Sequence, residues 1–224
     1  SGLTVMLAFG IAIAAAAALI VAAVVLREDE SADPTPVATV NFAGIPQDGT
    51  LLGSPEATVT LIEYADLQCP ACRAYADSFV PGIVEQYVRP GRIRMEFRGI
   101  SFLGPDSETA LRYVLAAGLQ NHLWELQEAM YRNQGGENSG WVSDDLVRSL
   151  AEDIPGLDVD RLFADAESAE VEAMMAEAAQ QAQDAEVRGT PTLAIQGGDG
   201  EPTTLESGLS FSELTQALDA ALAG

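Results

Sequence analysis

The chain has two cysteines, and they stand together as Cys69-Pro70-Ala71-Cys72. They follow an apolar run, Val59-Thr60-Leu61-Ile62-Glu63-Tyr64, that reads as a buried strand, and they open a stretch of helical character. Cys-x-x-Cys at a strand-to-helix junction is the sequence form of a thiol–disulfide exchange site. One helical turn brings both sulfurs within bonding distance. The first sulfur then faces the unpaired N–H groups of the helix start, which together with the helix dipole favour the thiolate, the reactive species. Pro70 suits the first helical position, having no N–H to lose and a preset backbone angle. A structural zinc site needs four Cys or His ligands, and this chain has two Cys and one His. A purely structural disulfide is the remaining alternative, although closing so short a loop constrains little chain entropy.

The rest of the 224 residues leaves room for one large domain and an anchor. Leu3 to Leu26 carries no charge, and 24 such residues can cross a hydrocarbon core of about 30 Å. Arg27-Glu28-Asp29-Glu30 stops the run. Residues 1–27 are therefore read as a transmembrane anchor, with an uncleaved or cleaved signal sequence as the alternative. Residues 28–49 read as a charged, proline-containing linker with a short edge strand over 37–42. The acidic flank and body give no support for cytoplasmic retention, so the C-terminal domain, 50–224, is expected outside the membrane. An oxidising compartment suits a chain whose cysteines form one redox pair.

The formal net charge is −23, and all eleven basic residues are arginine. A GC-rich genome or adaptation to high salt accounts for that pattern. So acidic a surface repels phosphate and disfavours nucleic-acid binding.

Along the domain, Gly44–Pro55 reads as loop and turn, and Val59–Tyr64 as a strand. A helix is expected from Cys69 to Tyr87 with a kink at Pro81, followed by a strand over Arg92–Arg98. Residues 107–186 are helical almost throughout, in segments near 107–119, 122–133, 143–152, 159–165 and 168–186. A hairpin of Thr192–Ile195 and Thr203–Leu205 turns at Gly197-Gly198-Asp199-Gly200. A last helix covers Phe211–Leu222 with Ser210 as its cap.

The order is β-α-β, a helical block, then β-β-α. With "TVTLIEYADLQCPACRAYA", "RIRMEFRGISFLGPDSETA", "LWELQEAMYRNQ" and "VRGTPTLAI", the chain resembles membrane-anchored DsbA-like proteins of the thioredoxin superfamily over about residues 50–224. The resemblance implies an α/β thioredoxin-like fold with a helical insertion, about 107–186, between its two halves. It makes Cys69 the exposed attacking cysteine, Cys72 the resolving cysteine, and Pro70-Ala71 the active-site dipeptide. Pro191 matches a cis-proline that holds a backbone edge open for an extended substrate, and the Thr190 hydroxyl is placed to hydrogen-bond the Cys69 sulfur. Glu63 matches a buried carboxylate beneath the site. Burial would raise its pKa and let it take a proton from Cys72, directly or through water, when the mixed disulfide resolves.

The activity implied is that of an extracytoplasmic protein thiol–disulfide oxidoreductase that oxidises thiols of secreted or membrane proteins. No metal or organic cofactor is implied. A membrane quinone-linked reductase of the DsbB or vitamin-K-epoxide-reductase type is the expected reoxidant. Strongly oxidising members often carry histidine where this chain has Ala71, so a less acidic Cys69 and a less oxidising disulfide are expected. That keeps two alternatives open: a reductase or isomerase fed by a membrane electron donor, and a non-catalytic peptide-binding module. His122 reads as a surface or packing residue. Trp124, Leu126, Met130 and Tyr131 read as the contact between insertion and core, Met174-Met175 as helix packing, and Arg92, Arg94 and Arg98 as ion-pair partners.

Overall fold

The computed structural model describes residues 40–224. The expected anchor over 1–27 and most of the expected linker lie outside them. Among the described residues, no helix is long and apolar enough to cross a membrane.

The apolar run forms β3 (Val59–Ala65), and every one of its residues is buried. It lies between β4 (Arg94–Gly99), to which it is parallel, and β5 (Thr192–Gly197), to which it is antiparallel. β1 (Gln47–Asp48), β2 (Leu51–Leu52) and β6 (Thr203–Thr204) complete a sheet of order β1-β2-β4-β3-β5-β6. The β1–β2 hairpin falls in the segment read as loop. Its strands are two residues each, too short to carry an alternating pattern, yet Leu52 is wholly buried. No strand forms over 40–42, the described part of the expected edge strand.

Alternation along β3 divides the core. Ile62 and Tyr64 face a small cluster with Ile100, Ala194 and Ala182. Val59, Leu61 and Ala65 face the main core, so Glu63, in the same phase, points into it too.

The helix after Cys69 is α1 (Pro70–Ser78). It ends earlier than expected, because the Pro81 ring has no N–H and crowds the carbonyl four residues back. The chain re-forms as α2 (Val80–Ile83) and a π-helical turn, Val84–Val88. The insertion comprises α3 (Pro105–Gly118), α4 (Leu123–Arg132), α5 (Asp144–Glu152), α6 (Val159–Ala166) and α7 (Ala169–Asp184). Ser143, Asp158 and Ser168 cap α5, α6 and α7 through their side chains. α8 (Phe211–Ala223) opens with a reciprocal capping box of Ser210 and Glu213. Trp124, Leu126, Met130 and Tyr131 are all buried in the main core, which joins the insertion to the sheet. Arg92 pairs with Asp219 and Arg98 with Glu96, whereas Arg94 donates to the Thr60 hydroxyl.

A buried polar network fastens the insertion to the turn before Cys69. Asp66, with no exposed surface, accepts from the Gln68 N–H at 2.8 Å and the Ser107 hydroxyl at 2.7 Å through Oδ1. Its Oδ2 accepts from the N–H groups of Phe102 and Leu103 at 2.7 and 3.0 Å. The Gln68 amide donates to Ser107 Oγ and Asn138 Oδ1 and accepts from the Asn138 N–H. Gln134 donates to the carbonyls of Leu67 and Cys69 at 2.8 and 3.2 Å. Replacing Asp66 strands four donors, three of them backbone. Asp66→Ala is therefore expected to lower stability by about 2–4 kcal/mol in denaturant unfolding. A loss within about 0.5 kcal/mol would show that the network is dispensable.

Candidate active site

Cys69 is the N-cap of α1. Its sulfur accepts the Cys72 N–H at 3.4 Å, an orphan donor of the first helical turn. Cys69 keeps 8 % of its surface exposed and Cys72 none, and both thiols are free. The Thr190–Pro191 peptide is cis and stands across from the sulfur, with the Thr190 carbonyl oxygen 3.3 Å from Cys69 Sγ.

The two thiols sit in opposite electrostatic situations. Cys69 is held down to about 5, first by a hydrogen bond from the Cys72 thiol. The Thr190 side chain and the N–H groups of Cys72 and Ala71 add to this, against the opposing effect of partial burial. The Thr190 group seen to bond the sulfur is the carbonyl, which accepts from the Cys69 thiol. Cys72 is pushed far above the ordinary thiol range, first by burial and then by its hydrogen bond to Cys69. Its charge would sit in a dry core, with none of its surface open to water.

Glu63 lies in that core with both carboxylate oxygens buried and, among the described residues, without a hydrogen-bond partner. Desolvation raises it to about 8, so it is largely protonated at neutral pH. The structure therefore brings Glu63, Cys69, Cys72, Thr190 and Pro191 to one end of β3 and α1. Beside them runs a groove of about 470 Å³, lined by Ala71, Tyr75, Phe79, Pro191, Leu193 and Leu205 among others. His122 lies at the start of α4, where its imidazole faces Glu125 at 3.9 Å. Asp66, Gln68, Gln134 and Asn138 escape a reading by motif. Their one sequence signal is the polar pair Asp66 and Gln68 inside an otherwise apolar approach to Cys69.

A dithiol with one acidified sulfur at a helix start, facing a cis-proline on a thioredoxin fold, defines the class of thiol–disulfide oxidoreductases. The chain belongs to the thioredoxin family, whose model matches residues 46–220. It is 26 % identical over 171 residues to a probable disulfide bond formation protein D of Bacillus cereus, covering 75 % of this chain and 76 % of that one. Oxidised BdbD of Bacillus subtilis superimposes with a TM-score of 0.70 at 19 % identity, covering 79 % of this chain and 94 % of that one, a likeness of fold. DsbA2 of Pseudomonas aeruginosa gives a TM-score of 0.63 at 25 % identity, covering 79 % and 96 %. The chain is a DsbA-like protein disulfide oxidoreductase of the thioredoxin superfamily.

The Glu63 environment has a consequence for stability. The unfolded carboxyl titrates near 4.5 and the folded one near 8. Its burial cost is absent below pH 4.5, grows between the two values and is complete above pH 8. Cys69 works the other way, since its thiolate adds stability as pH rises from about 5 to 9.0. Comparison with Glu63→Gln isolates the carboxyl, because Cys69 is common to both proteins. The advantage of Glu63→Gln in denaturant unfolding of the reduced protein is expected to grow by about 4 kcal/mol between pH 4.5 and 8. An advantage that does not change with pH would contradict the buried-acid assignment.

Proposed function

We propose that this chain is an extracytoplasmic disulfide donor, tethered by residues 1–27, that oxidises thiols of secreted or membrane proteins. The observation that carries the reading is the opposite treatment of the two thiols. Holding Cys69 as a thiolate stabilises the reduced enzyme, which makes its disulfide the more ready oxidant. A value of about 5 lies between that of the strong oxidant DsbA, about 3.5, and that of thioredoxin, about 7. That position fits Ala71 standing where strong oxidants often have histidine.

In the proposed cycle a substrate thiolate attacks Cys69 of the Cys69–Cys72 disulfide. A mixed disulfide forms at Cys69, and the electron pair of the broken S–S bond leaves on Cys72. The neutral Glu63 carboxyl supplies the proton that Cys72 needs in its dry surroundings. A second substrate thiolate then attacks the substrate sulfur of the mixed disulfide and releases Cys69 as the stabilised thiolate. Thr190-Pro191 offers the edge along which an extended substrate lies, and the adjoining apolar groove takes its side chains. Reoxidation falls to a membrane quinone-linked partner of the DsbB or vitamin-K-epoxide-reductase type. Ala71 favours a second reading, in which a less oxidising pair serves a reductase or isomerase.

Two substitutions test the roles. Cys72→Ser leaves the attacking sulfur without its resolving partner and is expected to accumulate mixed disulfides with substrate proteins, visible on non-reducing gels. Cys69→Ser is expected to abolish exchange by at least about a hundredfold, the size typical of losing a reacting group. If Cys72→Ser yields no trapped adducts while the wild type exchanges disulfides, the assignment of the two sulfurs is wrong.

A further inference from the structure

Seven buried side-chain polar atoms among the described residues have no hydrogen-bond partner, and four of them are the oxygens of Glu63, Tyr75 and Tyr131. An unpartnered buried polar group forfeits its bonds to water without replacing them, so native cores rarely keep several together without a use for them.

Three elements carry these oxygens into one core. The alternation of β3 turns Glu63 into the main core, the same core that buries Cys72, Tyr75 and Tyr131. Cys72 and Tyr75 are one turn apart on α1 and share a face. Tyr131 comes from the last turn of α4, with Gln127 buried one turn before it. Each phenol lies within electrostatic reach of both Glu63 and Cys72.

Along the sheet and toward α8 the neighbours of Glu63 are apolar. Its register neighbours on β4 and β5 are Phe97 and Leu193, and α8 packs Leu214 and Leu218 into the same core. Asp66 is the further acid near the end of β3, and both its oxygens are committed to the network beside the site. Among the described residues, no arginine or histidine is buried in this core.

We propose that Tyr75 and Tyr131 are positioning residues for the proton step, their hydroxyls donating hydrogen bonds, directly or across one water, to Glu63 while it is ionised. This rests on the reading of Glu63 as the proton partner of Cys72. When a substrate thiolate opens the disulfide, the bond electrons leave on Cys72, and the Glu63 proton moves to that sulfur. The negative charge passes to the carboxylate, which sits in a core with no cation. The phenols are unpartnered donors of that core within electrostatic reach of Glu63, and they keep their own protons throughout. In the reverse step, resolution of a mixed disulfide by Cys72, Glu63 must already be ionised to take the thiol proton. The rate of that step therefore rises with pH as Glu63 ionises.

The experiment is single-turnover resolution of the Cys69–glutathione mixed disulfide, followed from pH 5 to 10 in the full chain. It compares wild type, Glu63→Gln, Tyr75→Phe/Tyr131→Phe and the triple variant. The wild-type rate is expected to rise through pH about 8. Phenylalanine keeps the ring packing, including the Tyr75–Phe79 contact at 5.5 Å, and removes only the donors. The double phenylalanine variant is expected to move the midpoint up by about one unit, a roughly tenfold slower step at pH 7. Glu63→Gln and the triple variant are expected to share one profile without that inflection. If Glu63→Gln removes the inflection but the double variant keeps the wild-type midpoint, this inference is overturned while the Glu63 reading stands. If Glu63→Gln keeps the wild-type profile, the Glu63 reading falls and this inference with it. Should the double variant unfold, the single variants decide: midpoints raised by about half a unit each support the inference, and unmoved midpoints overturn it.

Discussion

The pair of hydrogen bonds that Cys72 donates to the Cys69 sulfur, first from its thiol and then from its N–H, organises the site. It exists because a cysteine occupies the N-cap of α1, where a helix leaves donors unpaired. The same geometry that hands those donors to Cys69 places Cys72 one turn later, in the main core and away from water. One helical turn thus separates a sulfur that holds charge easily from one that resists it. The polarity of the exchange reaction follows from that difference. A dry core then needs a proton source for the inner sulfur, and the alternation of β3 sets a carboxyl there.

The insertion does more than cover the sheet. Gln134 and Asn138, from the segment between α4 and α5, grip the carbonyl of Cys69 and the side chain of Gln68. Asp66 ties the same turn to the segment that leads into α3. The catalytic turn is therefore clamped from the helical block as well as supported by its own strand. Buried polar networks of this kind fix a unique arrangement only when every member is satisfied, and here Asp66 has its four donors.

Much of the architecture was legible in the sequence, for physical reasons. β3 is a continuous apolar run because it is buried on both faces, and the motif at its end is short, local and chemically specific. The helical block announced itself through periodicity and breaks. What stayed hidden depends on contacts between distant residues. The β1–β2 hairpin draws its stability from pairing with β4, which two-residue strands do not advertise. The Asp66 network joins residues 66, 68, 107 and 138, whose separations carry no motif. Tyr131 was legible as a packing residue of α4, but its unpartnered hydroxyl beneath the redox site became visible only once β3, α1 and α4 were assembled.

The central claim is that the fold stabilises the reduced pair through the Cys69 thiolate and so makes the disulfide a donor. The equilibrium reduction potential of Cys69–Cys72 against glutathione tests it most directly. A value in the range of about −120 to −180 mV, spanned by DsbA and protein disulfide isomerase, is expected. A value near −270 mV, about that of thioredoxin, would mean that the disulfide is too stable to be given away, and would contradict it.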